Sequence, residues 1–495
     1  MSKVQLPNTK LFINNEWVES VSGKKLKTFN PTNGKLICEV SEGGKEDVDV
    51  AVKAARNALD NGPWGKMTAE DRGKLILKLA DLVDQHREHL SDLETLDNGK
   101  PLTASSGFDI TEAARALRYF GGWADKIQGK TIPISSEFTA MTKHEPIGVV
   151  GLIVAWNFPL LLLSWKLGPS LAAGCTIVAK PSEFTPLTAL YFCELVKEAG
   201  FPPGVINIVN GVGDVVGDAL SHHMDVDKIS FTGSTRVGRL IMEAAAKSNL
   251  KPVTLELGGK SPNIIFGDCD IEYVANAAKN YVFANSMQLC CAASRFFVHE
   301  SILDAFLTIF TEKIKQLKVG DPYDSETHLG PLVSKQQHDR VLGYIQKGKE
   351  EGATCHLGGE VHNHHADGAG YFIQPTIFTN VTDDMTICKE EIFGPVVVIL
   401  PFKTVDEVIK RANDTTYGLA AGVWTKDISL ALNVSNKLKS GSVWVNGFNI
   451  LKSQIPFGGF KQSGFGRDLS EYAIQGYLSV KAVTIAHKTL HAQQQ

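Results

Sequence analysis

The sequence predicts an α/β protein built on a doubly wound parallel sheet, with a second α/β unit and a small projecting β hairpin. Three observations lead there. Short β-branched apolar runs at 149–154, 176–179, 205–209 and 228–232 are each followed by Gly, Pro or Asn and then by a helical pattern, as at 187–199 and 237–246. Strands and helices alternating over short connections give parallel strands with helical crossovers. Strand candidates at 263–266, 295–298, 396–402 and 442–445 repeat the pattern between Ser261 and about Gln462. The stretch 131–145 and the tail 478–485 instead alternate like hairpin strands. Open sheets of this kind bind ligands at the carboxyl ends of their strands, so the chemistry is expected there.

Helical periodicity runs over Ala51 to Leu59 and again over Glu70 to Leu96. With 495 residues the chain exceeds one ordinary core, and two or more domains are expected. Hydrophobic residues at 43% and charged residues at 21% describe a soluble globular protein. The formal charge of -4 is spread along the chain, which argues against nucleic acid or an acidic surface as the main partner. Ile147 to Trp165 is nearly free of charge and about as long as a membrane span. Gly148, Gly151, Asn157 and Pro159 break it into a strand and a new helix, so no membrane partner is expected.

Eight cysteines with no CxxC pair do not form a disulfide framework, and reduced thiols are expected. The first residues, Met1-Ser-Lys-Val-Gln-Leu-Pro, carry neither an apolar signal core nor an Arg-rich amphipathic helix, so a cytoplasmic location is expected. Three histidines, His362, His364 and His365, fall within a Gly-rich stretch ending at Gly370. No cysteine or paired carboxylate accompanies them, and a surface loop rather than a metal site is expected.

The chemistry concentrates in Glu256-Leu257-Gly258-Gly259-Lys260 and in Cys290-Cys291, with Glu256 lying 34 residues before Cys290. A thiolate attacks a carbonyl carbon readily, and a carboxylate can activate the water that later cleaves a thioester. Taken alone, Cys290 reads more readily as a small buried hydrophobe than as a nucleophile, and Asn157 as a strand end or helix cap. Lys180 and Glu183 follow the run 176–179, where a ribose would lie on such a sheet; a Glu there accepts ribose hydroxyls and repels a 2′-phosphate. Gly233, Ser234 and Gly238 bracket a helix start, whose free N–H groups suit a pyrophosphate.

In this order, and with Ala155-Trp156-Asn157-Phe158-Pro159, Glu391-Ile392-Phe393-Gly394-Pro395, Asn446 and Pro456-Phe457-Gly458-Gly459, the chain resembles the aldehyde dehydrogenase superfamily and its class 1/2 branch. The resemblance runs from Phe12-Ile13-Asn14-Asn15-Glu16-Trp17 to Ser479-Val480-Lys481. It implies a Rossmann-like NAD-binding domain at 1–127 and 147–258, a catalytic domain at 259–462, and an oligomerisation segment at 128–146 and 463–495. It implies Cys290 as nucleophile, Glu256 as general base and Asn157 as oxyanion donor. NAD would be held by Lys180, Glu183, Gly233, Ser234, Gly238, Glu391 and Phe393. Phe158, Leu162, Trp165, Leu289, Cys291, Leu451 and Phe457 would line a tunnel for an apolar aldehyde, in a homotetramer or dimer.

Two residues depart from the family's pattern. Met287 stands where a Gly usually precedes Gln288, and Leu289 stands where a small or polar residue usually precedes the nucleophile. A side chain at a φ > 0 position costs roughly 1–2 kcal/mol or moves the loop. Added bulk beside the thiol narrows the tunnel. The expectation stays an NAD-dependent oxidation of an apolar aldehyde to a carboxylate through a cysteine thioester, with these two changes as the features that would lower or abolish it on an intact fold. They open an alternative: a structural eye-lens protein, similar to the omega-crystallins of molluscs.

Overall fold

The computed structural model describes residues 4–364 and 369–487. Its first sheet has eight strands in the order Gly464–Phe465, Val253–Glu256, Lys228–Thr232, Val149–Ile153, Thr176–Lys180, Ile206–Ile208, Leu11–Ile13 and Glu16–Val18. The five central strands are mutually parallel, and the outer ones join antiparallel. All residues of Val149–Ile153, Thr176–Lys180 and Lys228–Thr232 are buried, which is why they read as unbroken apolar runs. Chain order reverses between Val149–Ile153 and Lys228–Thr232, since Thr176–Lys180 pairs on the other side of Val149–Ile153. Strand ends diverge at such a reversal and leave a crevice for a ligand.

The helix Pro159–Ala173 is buried along its whole length. Proline suits its first position because that N–H would have no helical partner. The indole of buried Trp64 donates to Gly174 O at 3.0 Å and to Cys175 O at 3.1 Å, which pins the turn ahead of Thr176–Lys180. The periodicity over Glu70 to Leu96 resolves into two helices, Ala69–Gln85 and Arg87–Asn98. They break at His86, whose Nδ1 lies 2.8 Å from the Tyr191 hydroxyl. That tie is tertiary, so the local pattern carries no sign of it.

The second sheet has seven strands, in the order Thr354–Leu357, Thr376–Thr379, Val396–Phe402, Arg295–His299, Pro262–Ile265, Ala420–Trp424 and Ser442–Val445. All are parallel except the first. A third sheet pairs Leu478–Ala486 with Phe138–Pro146, from Leu478 opposite Pro146 to Ala486 opposite Phe138. Thr131–Ile132 closes its far side. The segment from 463 was expected to belong wholly with this hairpin. Instead Gly464–Phe465 pairs with Leu255 and Glu256 at the edge of the first sheet, and only from Leu478 does the chain join the hairpin.

Met287 and Leu289 belong to the apolar core under the second sheet, whereas Cys291 belongs to the core around Pro159–Ala173. The segment between them is the seam of the molecule. Among the described residues no helix is long and apolar enough to cross a membrane.

Candidate active site at the seam of two cores

Two cavities meet at this seam. The first, of about 320 Å³, is walled by Phe158, Leu162, Trp165, Leu289, Cys291, Leu451 and Phe457, the seven residues expected to line a tunnel. Its surface is overwhelmingly apolar, with Trp165 and Phe457 edge to face at 5.5 Å. The second, of about 160 Å³, is walled by Trp156, Gly233, Ser234, Gly258, Gln337, Arg340, Glu391 and Phe393, among others. Four residues border both: Asn157, Thr232, Glu256 and Cys290. Three come from carboxyl ends of neighbouring strands of the first sheet, beyond Ile153 and at Thr232 and Glu256. The fourth comes across the seam.

Hydrogen bonds fix the segment carrying Cys290 from several sides. The Asn157 amide donates to Gln288 O at 2.9 Å, and the Asn285 amide donates back to Asn157 O at 3.1 Å. The Gln288 side chain donates to Asn285 O at 3.1 Å and accepts from Val333 N at 3.0 Å. Ser286 Oγ donates to Gly330 O at 2.7 Å. Gly259 lies against the same segment, since a Cβ there would fall 2.4 Å from Cys290 O.

This bonding holds three consecutive residues in the left-handed region: Asn285 at φ 48°, Ser286 at 52° and Met287 at 55°. The expected positive φ at Met287 is thus present, with a side chain in place of a glycine's hydrogen. Each non-glycine residue there costs about 1–2 kcal/mol, asparagine least.

The charges at the seam are unusual. Glu256 is buried, and neither carboxylate oxygen has a hydrogen-bond partner. Burial, followed by the charge of Asp468, pushes its carboxyl well above the usual range against the pull of Lys166 and Arg467. Asp468 itself is paired with buried Lys166 at 2.8 Å. A hydrogen bond with the Cys291 thiol, then burial, raises the half-buried Cys290 thiol well above its usual value. Cys291 Sγ also lies 3.0 Å from Asn449 Oδ1.

Glu391 accepts from Gly259 N at 3.0 Å, and burial pushes its carboxyl up to about 7. A Cβ on Gly258 would meet Glu391 Oε2 at 2.3 Å, so only a bare backbone leaves that cradle open. Phe393 stands edge to face with Trp156 at 5.3 Å. Ser234 caps the helix Thr235–Lys247 by accepting from Val237 N, and Gly238 lies in that helix's first turn. Lys180 and Glu183 lie away from this wall, bonded to each other at 2.9 Å at the carboxyl end of the strand Thr176–Lys180. Of the histidine stretch, His364 packs 5.0 Å from the Phe372 ring, and His365 lies outside the described residues.

Residues 17–483 match the model of the aldehyde dehydrogenase family. The chain belongs to the aldehyde dehydrogenase family. It is 54% identical to aldehyde dehydrogenase 1A1 of Gallus gallus over 486 residues, covering 98% of this chain and 95% of that protein. It is 54% identical to the mitochondrial aldehyde dehydrogenase of Homo sapiens over 476 residues, covering 96% and 91%. Among solved structures, the NAD+ complex of an aldehyde dehydrogenase from Bacillus cereus superposes with a TM-score of 0.95 at 51% identity, covering 97% of each chain.

Sequence reasoning missed several members of this aldehyde dehydrogenase site. Thr232 borders both cavities, Gln337 and Arg340 line the second, and Lys100, Asp109, Asn449 and Asp468 line the first. Thr232 was legible as the last residue of a strand at the sheet's ligand edge. The others arrive from distant segments and had no local signal.

Two effects oppose each other at Met287. Its side chain is only 2% exposed and packs in the second sheet's core. Truncating such a side chain costs about 2–5 kcal/mol, whereas relieving φ strain returns about 1–2 kcal/mol. Met287→Gly is therefore expected to lower stability by roughly 1–3 kcal/mol. Urea unfolding measures it, and a raised midpoint would contradict the dominance of burial.

Proposed function

We propose that this chain is an NAD-dependent aldehyde dehydrogenase that oxidises an apolar aldehyde to a carboxylate through a thioester on Cys290. One observation carries the reading: thiol, carboxylate and amide stand in the wall common to an apolar cavity and a polar one. Substrate and cofactor entering from opposite sides would meet at that wall. The names of relatives at this identity favour a dehydrogenase over a lens protein.

The second cavity suits a nicotinamide and its ribose, with the Glu391 carboxylate as acceptor and Phe393 as a flank. Lys180 and Glu183 at their strand end would hold the adenosine ribose, and the helix start at Gly233, Ser234 and Gly238 the pyrophosphate. NAD supplies the hydride acceptor when bound. On the protein's side, Cys290 gives its proton to solvent and the resulting thiolate Sγ adds to the aldehyde carbon, while the Asn157 amide donates to the oxygen that becomes negative. Once the carbon is oxidised, the acyl group remains on Cys290 as a thioester. Glu256 takes a proton from water, whose oxygen attacks the acyl carbon; the C–S bond breaks and the carboxylate leaves. Asp468, buried beside Glu256 and paired with Lys166, disfavours the ionised form of Glu256 by like charge, which makes its carboxylate a stronger base toward that water.

The domain roles follow: the first sheet binds cofactor and the second presents the thiol. Leu478–Ala486 is an edge strand with Val480 and Ile485 exposed, and Phe138 is exposed on its partner. A long apolar edge pairs readily with another chain, which supports a homo-oligomer. A cytoplasmic location belongs to the same proposal and is supported by eight unpaired cysteines.

Both the Cys290 thiol and the Glu256 carboxyl hold their protons above their ordinary ranges. The reactive forms are the deprotonated ones, so kcat is expected to rise with pH across the neutral-to-alkaline range. Glu256→Gln should remove the carboxylate's share of that rise. As pH falls through about 7, Glu391 takes up a proton and KM for NAD should increase. Cys290→Ala should lower NADH formation from a short aliphatic aldehyde by roughly 10⁶-fold. A wild type that forms no NADH would overturn the reading, and light scattering reporting a monomer would overturn the oligomer.

A further inference from the structure

Lys100 is the least expected group in the apolar cavity. It follows the helix Arg87–Asn98, is only 1% exposed, and lines the wall near Phe158. Its ammonium pairs with Asp109, lies 3.5 Å from Glu94 Oε1, and donates to Asn157 O at 2.8 Å. An ammonium has three N–H donors, and here each has an acceptor. The Phe158 ring covers the remaining side, with Nζ 4.1 Å from its centroid.

We propose that Lys100, anchored by Asp109 and Glu94, is a positioning residue that holds Asn157 in register with the segment carrying Cys290. The proposal rests on the reaction proposed above, in which the Asn157 amide meets the aldehyde oxygen.

The argument is geometric. The Asn157 carbonyl takes two donors, Lys100 from the first core and Asn285 from the strained turn before Cys290. Its side-chain amide spends one N–H on Gln288 O, which leaves the other for a ligand. The residue is held at both ends, and Lys100 is the tie on the side away from the turn. The neighbouring backbone is held by the same stretch of chain. Asn98 donates to Trp156 O at 2.7 Å, and Glu94 Oε2 accepts from Leu160 N at 3.4 Å, at the start of the helix Pro159–Ala173. Residues 94–100 thus grip the segment 156–160 at three backbone atoms.

A purely structural role explains this less well. A buried ion pair repays little of its desolvation cost compared with apolar packing, and its best-attested value is fixing one geometry among several. Burial pushes the Glu94 carboxyl well above the usual range, and the adjacent Asp109 adds to the shift. The cluster fixes the Asn157 carbonyl by geometry: the ammonium that meets it is itself held by Asp109 and Glu94.

A double-mutant cycle on the full chain tests this. Lys100→Met and Asn157→Ala should each lower kcat by about 10²-fold, the order expected for a displaced or missing oxyanion donor. KM for the aldehyde and Kd for NAD should stay within about twofold, because uniform binding is untouched. The decisive reading is the double variant. If Lys100 acts through Asn157, the double variant should turn over no more slowly than Asn157→Ala alone. Losses that multiply to about 10⁴-fold would overturn the proposal. Should Lys100→Met fail to fold, leaving Asp109 buried without its partner, the pair Lys100→Met/Asp109→Leu removes both charges and enters the same cycle, with the same two outcomes. A wild type without NADH formation overturns the reaction and this role together. An active wild type with multiplying losses overturns this role alone.

Discussion

A hydrogen bond from the Asn157 amide to Gln288 O joins the two halves of the molecule where the chemistry is placed. Asn157 follows a strand of the first sheet, whereas Gln288 stands on the turn leading to Cys290, whose apolar neighbours pack under the second sheet. Without that bond, and the return bond from Asn285, the turn before Cys290 would settle with the second core and not against Asn157. The contact of Gly259 with Cys290 O works toward the same end from the Glu256 side. Three chain segments are thereby brought to one wall, and both cavities inherit their shape from it.

Holding that wall together stores strain and buried charge. Left-handed backbone at Ser286 and Met287 is retained because Ser286 is bonded to Gly330 and Met287 fills a core position that a glycine would leave empty. Strain persists where surrounding contacts over-determine it, and such places cluster at functional sites. The buried pairs Lys166–Asp468 and Lys100–Asp109 both reach the first cavity beside that wall. Pairs of this kind add little to stability, and their effect is to set direction and potential. The raised carboxyl of Glu256 is the clearest product, a buried acid whose oxygens have no hydrogen-bond partner within the protein.

Much of this was legible in the sequence, for reasons that differ by element. Lys228–Thr232, Val396–Phe402 and Leu187–Ala199 match the expected spans because strands buried on both faces and a helix bounded by Pro186 and Gly200 carry their own signals. The break at His86 was invisible, since its cause is a contact with Tyr191 more than 100 residues away. The pairing of Gly464–Phe465 with the first sheet was missed because two residues hold no periodicity. Apolar tunnel residues were found as a set through resemblance. Lys100 and Asp468 were not, because a lysine in an apolar wall contradicts every local rule until its partners are seen. Leu289 was expected to crowd the thiol, and it lines the apolar cavity beside it.

The central claim is that Cys290, rather than its neighbour Cys291, carries the acyl group at the wall between the cavities. Rapid quenching of the Glu256→Gln variant with NAD and a short aliphatic aldehyde, followed by fragmentation mass spectrometry of the peptide bearing both cysteines, tests it directly. An acyl mass on Cys290 that accumulates only when NAD is present is the result this account predicts. An acyl mass on Cys291, or NADH formed with no acyl group on either thiol, would contradict it.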